Sequence, residues 1–293
     1  MIPEHVMREL RYIELYTAKR IRNLRVGPYT SPQRGPGFDF DEHQPYRHGD
    51  DVRRIDWNVT ARMGAPYVRH THAERELNVM IAIDVSRSME LGAAHRSKKE
   101  LMTFITGSLL FSAASDQINT GFLAFSDRVL EYSPPRRTRA AAWSVLERCW
   151  ALSPRPGPTA LLPAIRHLLN TLTRMSVVFI VSDFISDEDV FGAHELAMLA
   201  AKHDVIAVVP WDPTEAALPE GRGYIQLRDL ESGRQLAVSL SPRTRRTYAG
   251  EISARRDALA RAFYRVPMDY VFVPTDGSPV EPLLSLFAAR MSR

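Results

Sequence analysis

The sequence predicts an α/β protein: a mostly parallel, doubly wound sheet preceded by a small N-terminal segment. Two observations carry that expectation. Short, nearly continuous apolar runs at Leu77 to Ile83, Val177 to Val181 and Val205 to Pro210 alternate with helix-length segments. Strands buried on both faces read as such runs, and strands alternating with helices close into a parallel sheet. The texture also changes at Leu77, from charged and aromatic to apolar. This divides the chain into an N-terminal helix and charged aromatic segment over 1–76 and a sheet domain with a C-terminal extension over 77–293.

The elements follow in order. Pro3 to about Leu24 reads as a helix, with Pro3 suited to a first turn and Val6, Leu10, Ile13 and Leu24 near one face. Its basic polar face suits a peripheral membrane contact. The apolar face is narrow and has no Trp or Phe anchors, which favours docking on protein. Pro28 to Gly37 is a Pro- and Gly-rich loop. Phe38 to Glu76 is dense in charges and aromatics, and Tyr67 to His72 alternates as a strand does.

Beyond Leu77 the first sheet strand is followed by a helix from Ser97 to Ser115 and a strand from Ile118 to Phe125. Arg128 to Tyr132 is a short neighbouring strand. Helices are expected over Arg139 to Trp150, Ala160 to Thr173 and Asp187 to Lys202, the last two flanking the Val177 strand. After the Val205 strand, Tyr224 to Leu227 and Gln235 to Val238 form a hairpin. Arg243 to Phe263 is a helix, Tyr270 to Val273 a strand and Val280 to Met291 the last helix.

Composition excludes several classes. The 293 residues are 45% hydrophobic and 25% charged, which is ordinary for a globular chain and rules out disorder. No apolar run approaches the roughly 20 residues of a membrane helix, and no signal peptide is visible, so a cytoplasmic protein is expected. One cysteine, Cys149, excludes a disulfide framework and any CxxC site. Net charge is +4, spread as +2 over residues 1–76, −3 over 77–221 and +5 over 222–293. A nucleic-acid binder would concentrate its basic residues, so no nucleic acid is expected. The Arg-rich C-terminal third keeps that reading as a distant alternative.

Ligands of open parallel sheets bind beyond the C-terminal strand ends, near the reversal of strand order. Asp84-Val85-Ser86-Arg87-Ser88 follows the first buried strand and Ser182-Asp183 follows the Val177 strand. Between them, Gly157-Pro158 delivers Thr159 just before a helix. Asp84, Ser86, Ser88, Thr159 and Asp183 are oxygen donors suited to a hard cation. Mg²⁺ takes six oxygens and keeps some waters, so this set can leave a position for a partner's carboxylate. D-x-S-x-S arises by chance about 0.06 times in a chain this long at roughly 6% usage of each residue. Helix capping accounts for one or two of these hydroxyls and leaves Thr159 and Asp183 unexplained.

In that order, Asp84-x-Ser86-x-Ser88, Thr159 and Asp183 resemble the three parts of the metal-ion-dependent adhesion site (MIDAS) of the von Willebrand factor A domain. The resemblance spans about residues 77 to 275. Upstream, Gly37-Phe38-Asp39-Phe40-Asp41, Tyr46-Arg47-His48-Gly49-Asp50-Asp51, Arg53-Arg54-Ile55-Asp56-Trp57 and Ala61-Arg62 resemble the signature of a bacterial family known as domain of unknown function 58. The resemblance implies a von Willebrand factor A-like fold holding Mg²⁺, or Mn²⁺ or Ca²⁺ in its place. It further implies a protein-interaction or chaperone-accessory role beside a MoxR-type AAA+ ATPase or its client. No enzyme is expected. The enzymatic alternative is a Mg²⁺-dependent phosphohydrolase with Asp84 as nucleophile, but the second Asp of an Asp-x-Asp motif is Ser86 here, which removes the general acid.

Weaker signals have simpler readings. His70-x-His72-x-Glu74 offers zinc ligands but reads first as a solvated strand face. Asp50, Asp51, Arg53, Arg54 and Asp56 read as local structure, Trp57 as a packing anchor and Cys149 as buried and inert. Ser182 has no identifiable histidine for a catalytic triad.

Overall fold

The computed structural model describes residue 7 and residues 34–48, 50–72, 77–92, 96–115, 118–137, 139–152, 158–228 and 233–291. Met7 apart, the helix expected from Pro3 to Leu24 lies outside them. The described chain forms two compact units, one within Arg25–Glu76 and one within Leu77–Arg293.

In the smaller unit β1 (Arg34–Pro45) pairs antiparallel with β2 (Tyr67–His72). The expected loop to Gly37 is therefore corrected at its end, since the strand already starts at Arg34. A two-stranded ribbon leaves each strand one open edge, so Pro36 interrupts no central ladder. Pairing slips between Arg34 and Asp39, as a bulge allows. Between the strands lie a 3-10 turn (Val52–Arg54) and α1 (Trp57–Met63). Their N-caps are Asp51, which accepts from Arg53 N, and Asp56, which accepts from Asn58 N and Val59 N. Gly64 ends α1 in the left-handed conformation at φ 70°. Asp50 accepts from Arg47 N, so the acidic residues of this cluster hold backbone turns. Trp57 is 70% exposed and is not the packing anchor expected.

The larger unit runs β3 (Asn78–Asp84), α2 (Lys98–Ser115), β4 (Asn119–Phe125), β5 (Val129–Arg136), α3 (Arg139–Ala151), α4 (Leu162–Thr171), β6 (Ser176–Val181), α5 (His194–Lys202) and β7 (Asp204–Trp211). It continues with the hairpin β8 (Tyr224–Arg228) and β9 (Gln235–Ser239), then α6 (Pro242–Phe263), β10 (Asp269–Pro274) and α7 (Glu281–Met291). Six strands form one sheet in the order β10-β7-β6-β3-β4-β5. All pairs are parallel except β4–β5. The architecture is the expected α/β one, and the edge strand β5 is longer than the short neighbour predicted from Arg128 to Tyr132.

Side chains alternate between the sheet faces. Met80, Ala82, Leu123, Phe125, Val178 and Ile180 meet Ile165 and Leu168 of α4 and Leu196 and Leu199 of α5. The intervening residues, such as Ile81, Ile83, Phe122 and Phe179, are equally buried. The segment 101–113 of α2 is buried throughout, as a helix apolar on all sides should be. The helix expected from Asp187 begins only at His194. The acidic residues ahead of it are spent otherwise: Glu188 accepts from Leu161 N and Leu162 N at the start of α4, and Asp189 accepts from Gly192 N.

Candidate metal centre

Strand order reverses between β3 and β6, since the chain lays β4 and β5 on one side of β3 and β6, β7 and β10 on the other. In sheets of this order ligands bind outside the C-terminal strand ends at the reversal. Asp84 closes β3, and Ser182 and Asp183 directly follow β6.

Each carboxylate is fixed by local turns. Ser86 N donates to Asp84 Oδ1 at 2.8 Å, folding the chain back as Asx turns do. Ser86 Oγ and Ser88 Oγ lie 3.0 Å apart. Ser182 Oγ donates to Asp84 Oδ2 at 2.7 Å, linking the ends of the adjacent strands. Ile185 N donates to Asp183 Oδ1 at 3.1 Å. The turn after Asp183 puts Phe184 at φ 54°, the one non-glycine residue with positive φ among those described. Such backbone is costly and gathers at functional sites. Packing of the Phe184 ring against Phe191 and Phe263 offsets the cost. Thr159 is brought to this edge by its carbonyl, which accepts from Ser186 Oγ at 2.8 Å.

Asp84, Ser86, Ser88, Thr159 and Asp183 are all buried. Burial pushes the Asp84 carboxyl up to about 7, with the negative Asp183 adding to the effect. Asp183 Oδ2 is buried with no hydrogen-bond partner. A buried carboxylate oxygen without a hydrogen bond is expensive, and a divalent cation would compensate both carboxylates. The donor set, hard oxygens at a sheet edge, fits Mg²⁺ or a similar ion. Among the described residues, no three His, Cys, Asp or Glu side chains gather as a metal cluster. A site here would rest on two carboxylates with hydroxyls. His70 and His72 lie on β2, while Glu74 falls outside the described residues.

Two charged residues that no sequence motif marked, Lys98 and Glu215, stand beside Asp183. Lys98 opens α2 and is 1% exposed, and its Nζ lies 2.7 Å from Glu215 Oε1, 3.0 Å from Glu215 Oε2 and 3.8 Å from Asp183 Oδ2. Glu215 belongs to a 3-10 turn (Pro213–Ala216) capped by Asp212 just beyond β7. Burial raises its carboxyl and Lys98 opposes that rise. A lysine in the first turn of an apolar helix was a signal, because the helix dipole disfavours cations there. Ser182 also proves structural: its hydroxyl donates to Asp84 and accepts from Phe184 N at 3.0 Å. Cys149 is buried, which pushes its thiol up to about 12 and suppresses the reactive thiolate.

Residues 42–258 match the model of a family described as "Protein of unknown function DUF58". Over 283 residues the chain is 29% identical to the uncharacterized protein Rv1480 of Mycobacterium tuberculosis, covering 96% of this chain and 88% of that protein. The same figures hold for the uncharacterized protein Mb1516 of Mycobacterium bovis. Among solved structures it is similar to the conserved hypothetical protein BatB from Bacteroides thetaiotaomicron, at 17% identity over 73% of this chain and 98% of that chain, with a TM-score of 0.47. It is also similar to a von Willebrand factor type A structure from Catenulispora acidiphila, at 12% identity over 75% of this chain and 43% of that chain, with a TM-score of 0.39.

Proposed function

The chain belongs to the DUF58 family, and from that premise we propose that it is a protein-interaction module that grips an acidic partner residue through a divalent cation. Mg²⁺ is the proposed ion, with Mn²⁺ or Ca²⁺ able to replace it. Asp84, Ser86, Ser88, Thr159 and Asp183 would hold it. The observation that carries this reading is the buried, unbonded Asp183 Oδ2 beside a second buried carboxylate at the strand-order switch. When bound, the ion supplies a positive point whose remaining coordination position suits a carboxylate from outside. The chain's own part is to fix the donors: Ser182 and Ser86 N orient Asp84, and Ile185 N orients Asp183.

Phosphohydrolase chemistry is the weaker reading. Both Asp84 oxygens accept hydrogen bonds and the residue is fully buried, so a nucleophile there would have to break out of its own turn. Ser86 still cannot serve as a general acid.

The proposed partner is a MoxR-type AAA+ ATPase or the client it remodels. One metal contact is too small for a specific complex, which buries roughly 1,200–2,000 Å². The smaller unit offers more surface, because Val52, Trp57 and Met63 are each more than half exposed. Binding of a purified MoxR-type ATPase, measured by surface plasmon resonance, tests the reading. Binding in Mg²⁺ should fall at least tenfold in EDTA and in Ser86→Ala plus Ser88→Ala, with circular dichroism unchanged. Equal binding in all three conditions contradicts it.

A further inference from the structure

We infer that Glu215 is a positioning residue that holds the buried Lys98 ammonium off Asp183, and that this pair sets the divalent-cation affinity of the sheet edge. The inference rests on the metal reading proposed above and adds to it two residues on separate elements.

Lys98 Nζ has two carboxylates within 4 Å. It contacts both oxygens of Glu215, at 2.7 and 3.0 Å, while Asp183 Oδ2 lies 3.8 Å away, beyond hydrogen-bond reach. Asp183 Oδ2 thereby keeps its lone pairs unspent in a buried setting. Were Lys98 to shift onto Asp183, its ammonium would cancel the carboxylate's charge and occupy the oxygen that a metal needs. One resident cation would then exclude another. Lys98 is buried and cannot discharge its attraction into water, so the choice between the two carboxylates is set by where Glu215 is held.

Glu215 is held firmly. Its 3-10 turn follows β7 directly, and Asp212 caps the turn by accepting from Thr214 N at 2.8 Å and Thr214 Oγ1 at 2.6 Å. The turn also packs against α6. Lys98 thus stands between two edge loops, one carrying the metal donor Asp183 and one carrying its rival Glu215. A lysine serving only as a structural tie to Glu215 would give no reason for an unbonded metal-donor oxygen at 3.8 Å.

The test is Mn²⁺ titration by calorimetry, repeated by electron paramagnetic resonance, on the full chain and two variants. Glu215→Gln removes the rival charge, turns Lys98 toward Asp183 and should weaken Mn²⁺ binding at least tenfold, about 1.4 kcal/mol. Lys98→Met plus Glu215→Gln removes both charges and should bring affinity back to wild type or above. Thermal melts check that both variants fold. General damage to the site would lower affinity in both, so recovery in the double variant is the distinguishing result. If wild type binds Mn²⁺ and Glu215→Gln binds equally well, or if the double variant stays as weak as Glu215→Gln, this inference is overturned while the metal reading stands. If wild type takes up no Mn²⁺ but the double variant does, Glu215 does not hold Lys98 off Asp183 and the inference is overturned. If neither binds, both fall together.

Discussion

Asp84 uses its burial twice. Its oxygens are bonded by Ser86 N and Ser182, yet the carboxyl is pushed from 3.8 to about 7 by desolvation and by Asp183. Without a cation, the folded protein holds a proton on Asp84 between pH 3.8 and about 7, where the unfolded chain has already released it. Folded chains then bind more protons than unfolded ones, so this group's contribution to stability falls as pH rises through that window. Melts in EDTA should show stability lost as pH rises from 3.8 to about 7, with less loss in Asp84→Asn, and added Mg²⁺ should restore wild type at the upper end. An identical pH slope in Asp84→Asn would remove this role. At this scale Asp84, Ser86 and Ser88 were legible because one turn carries all three. Lys98 and Glu215 were not, because 117 residues separate them and only the folded sheet edge brings their charges together.

The elements show where local signals competed. Continuous apolar runs made β3, β6 and β7 readable, and their burial agrees. The start of β1, up to Gly37, carried Pro and Gly, which read as loop because nothing local announced its pairing with β2. The late start of α5 has the same origin: acidic residues that look like a first helical turn serve another helix. Glu188 is the instructive case. Its carboxylate caps α4 through Leu161 N and Leu162 N, just after Thr159, whose carbonyl is tied to Ser186. Glu188→Ala should cost about 1 kcal/mol of stability, as lost caps do, and should also weaken Mn²⁺ binding by loosening Thr159. Chemical denaturation and calorimetry measure the two effects. Lost stability with unchanged affinity would detach Thr159 from the metal.

For the whole molecule, strand order decides the placement of the chemistry. The reversal between β3 and β6 brings together donors from segments about 100 residues apart, and the alternation of strands and helices in the sequence anticipated it. The proposed partner surface was less legible, since Trp57 reads as a packing anchor and is exposed. Surface and metal should therefore separate by mutation. Trp57→Ala should weaken ATPase binding several-fold while leaving Mn²⁺ affinity unchanged, and a variant that binds the ATPase as wild type does would exclude Trp57 from the interface.

Everything proposed here depends on a cation at the β3–β6 edge. Removing an outer-shell partner of a metal ligand typically costs roughly 10–100-fold in affinity, so losing a direct carboxylate should cost at least about 100-fold. Calorimetric titration of Mg²⁺ and Mn²⁺ into wild type and Asp84→Ala, with circular dichroism confirming equal folding, is the most direct measurement. Wild type should bind one ion saturably and Asp84→Ala none at the same concentrations. Equal affinity in the two proteins, or no binding by a folded wild type, would contradict the cation site.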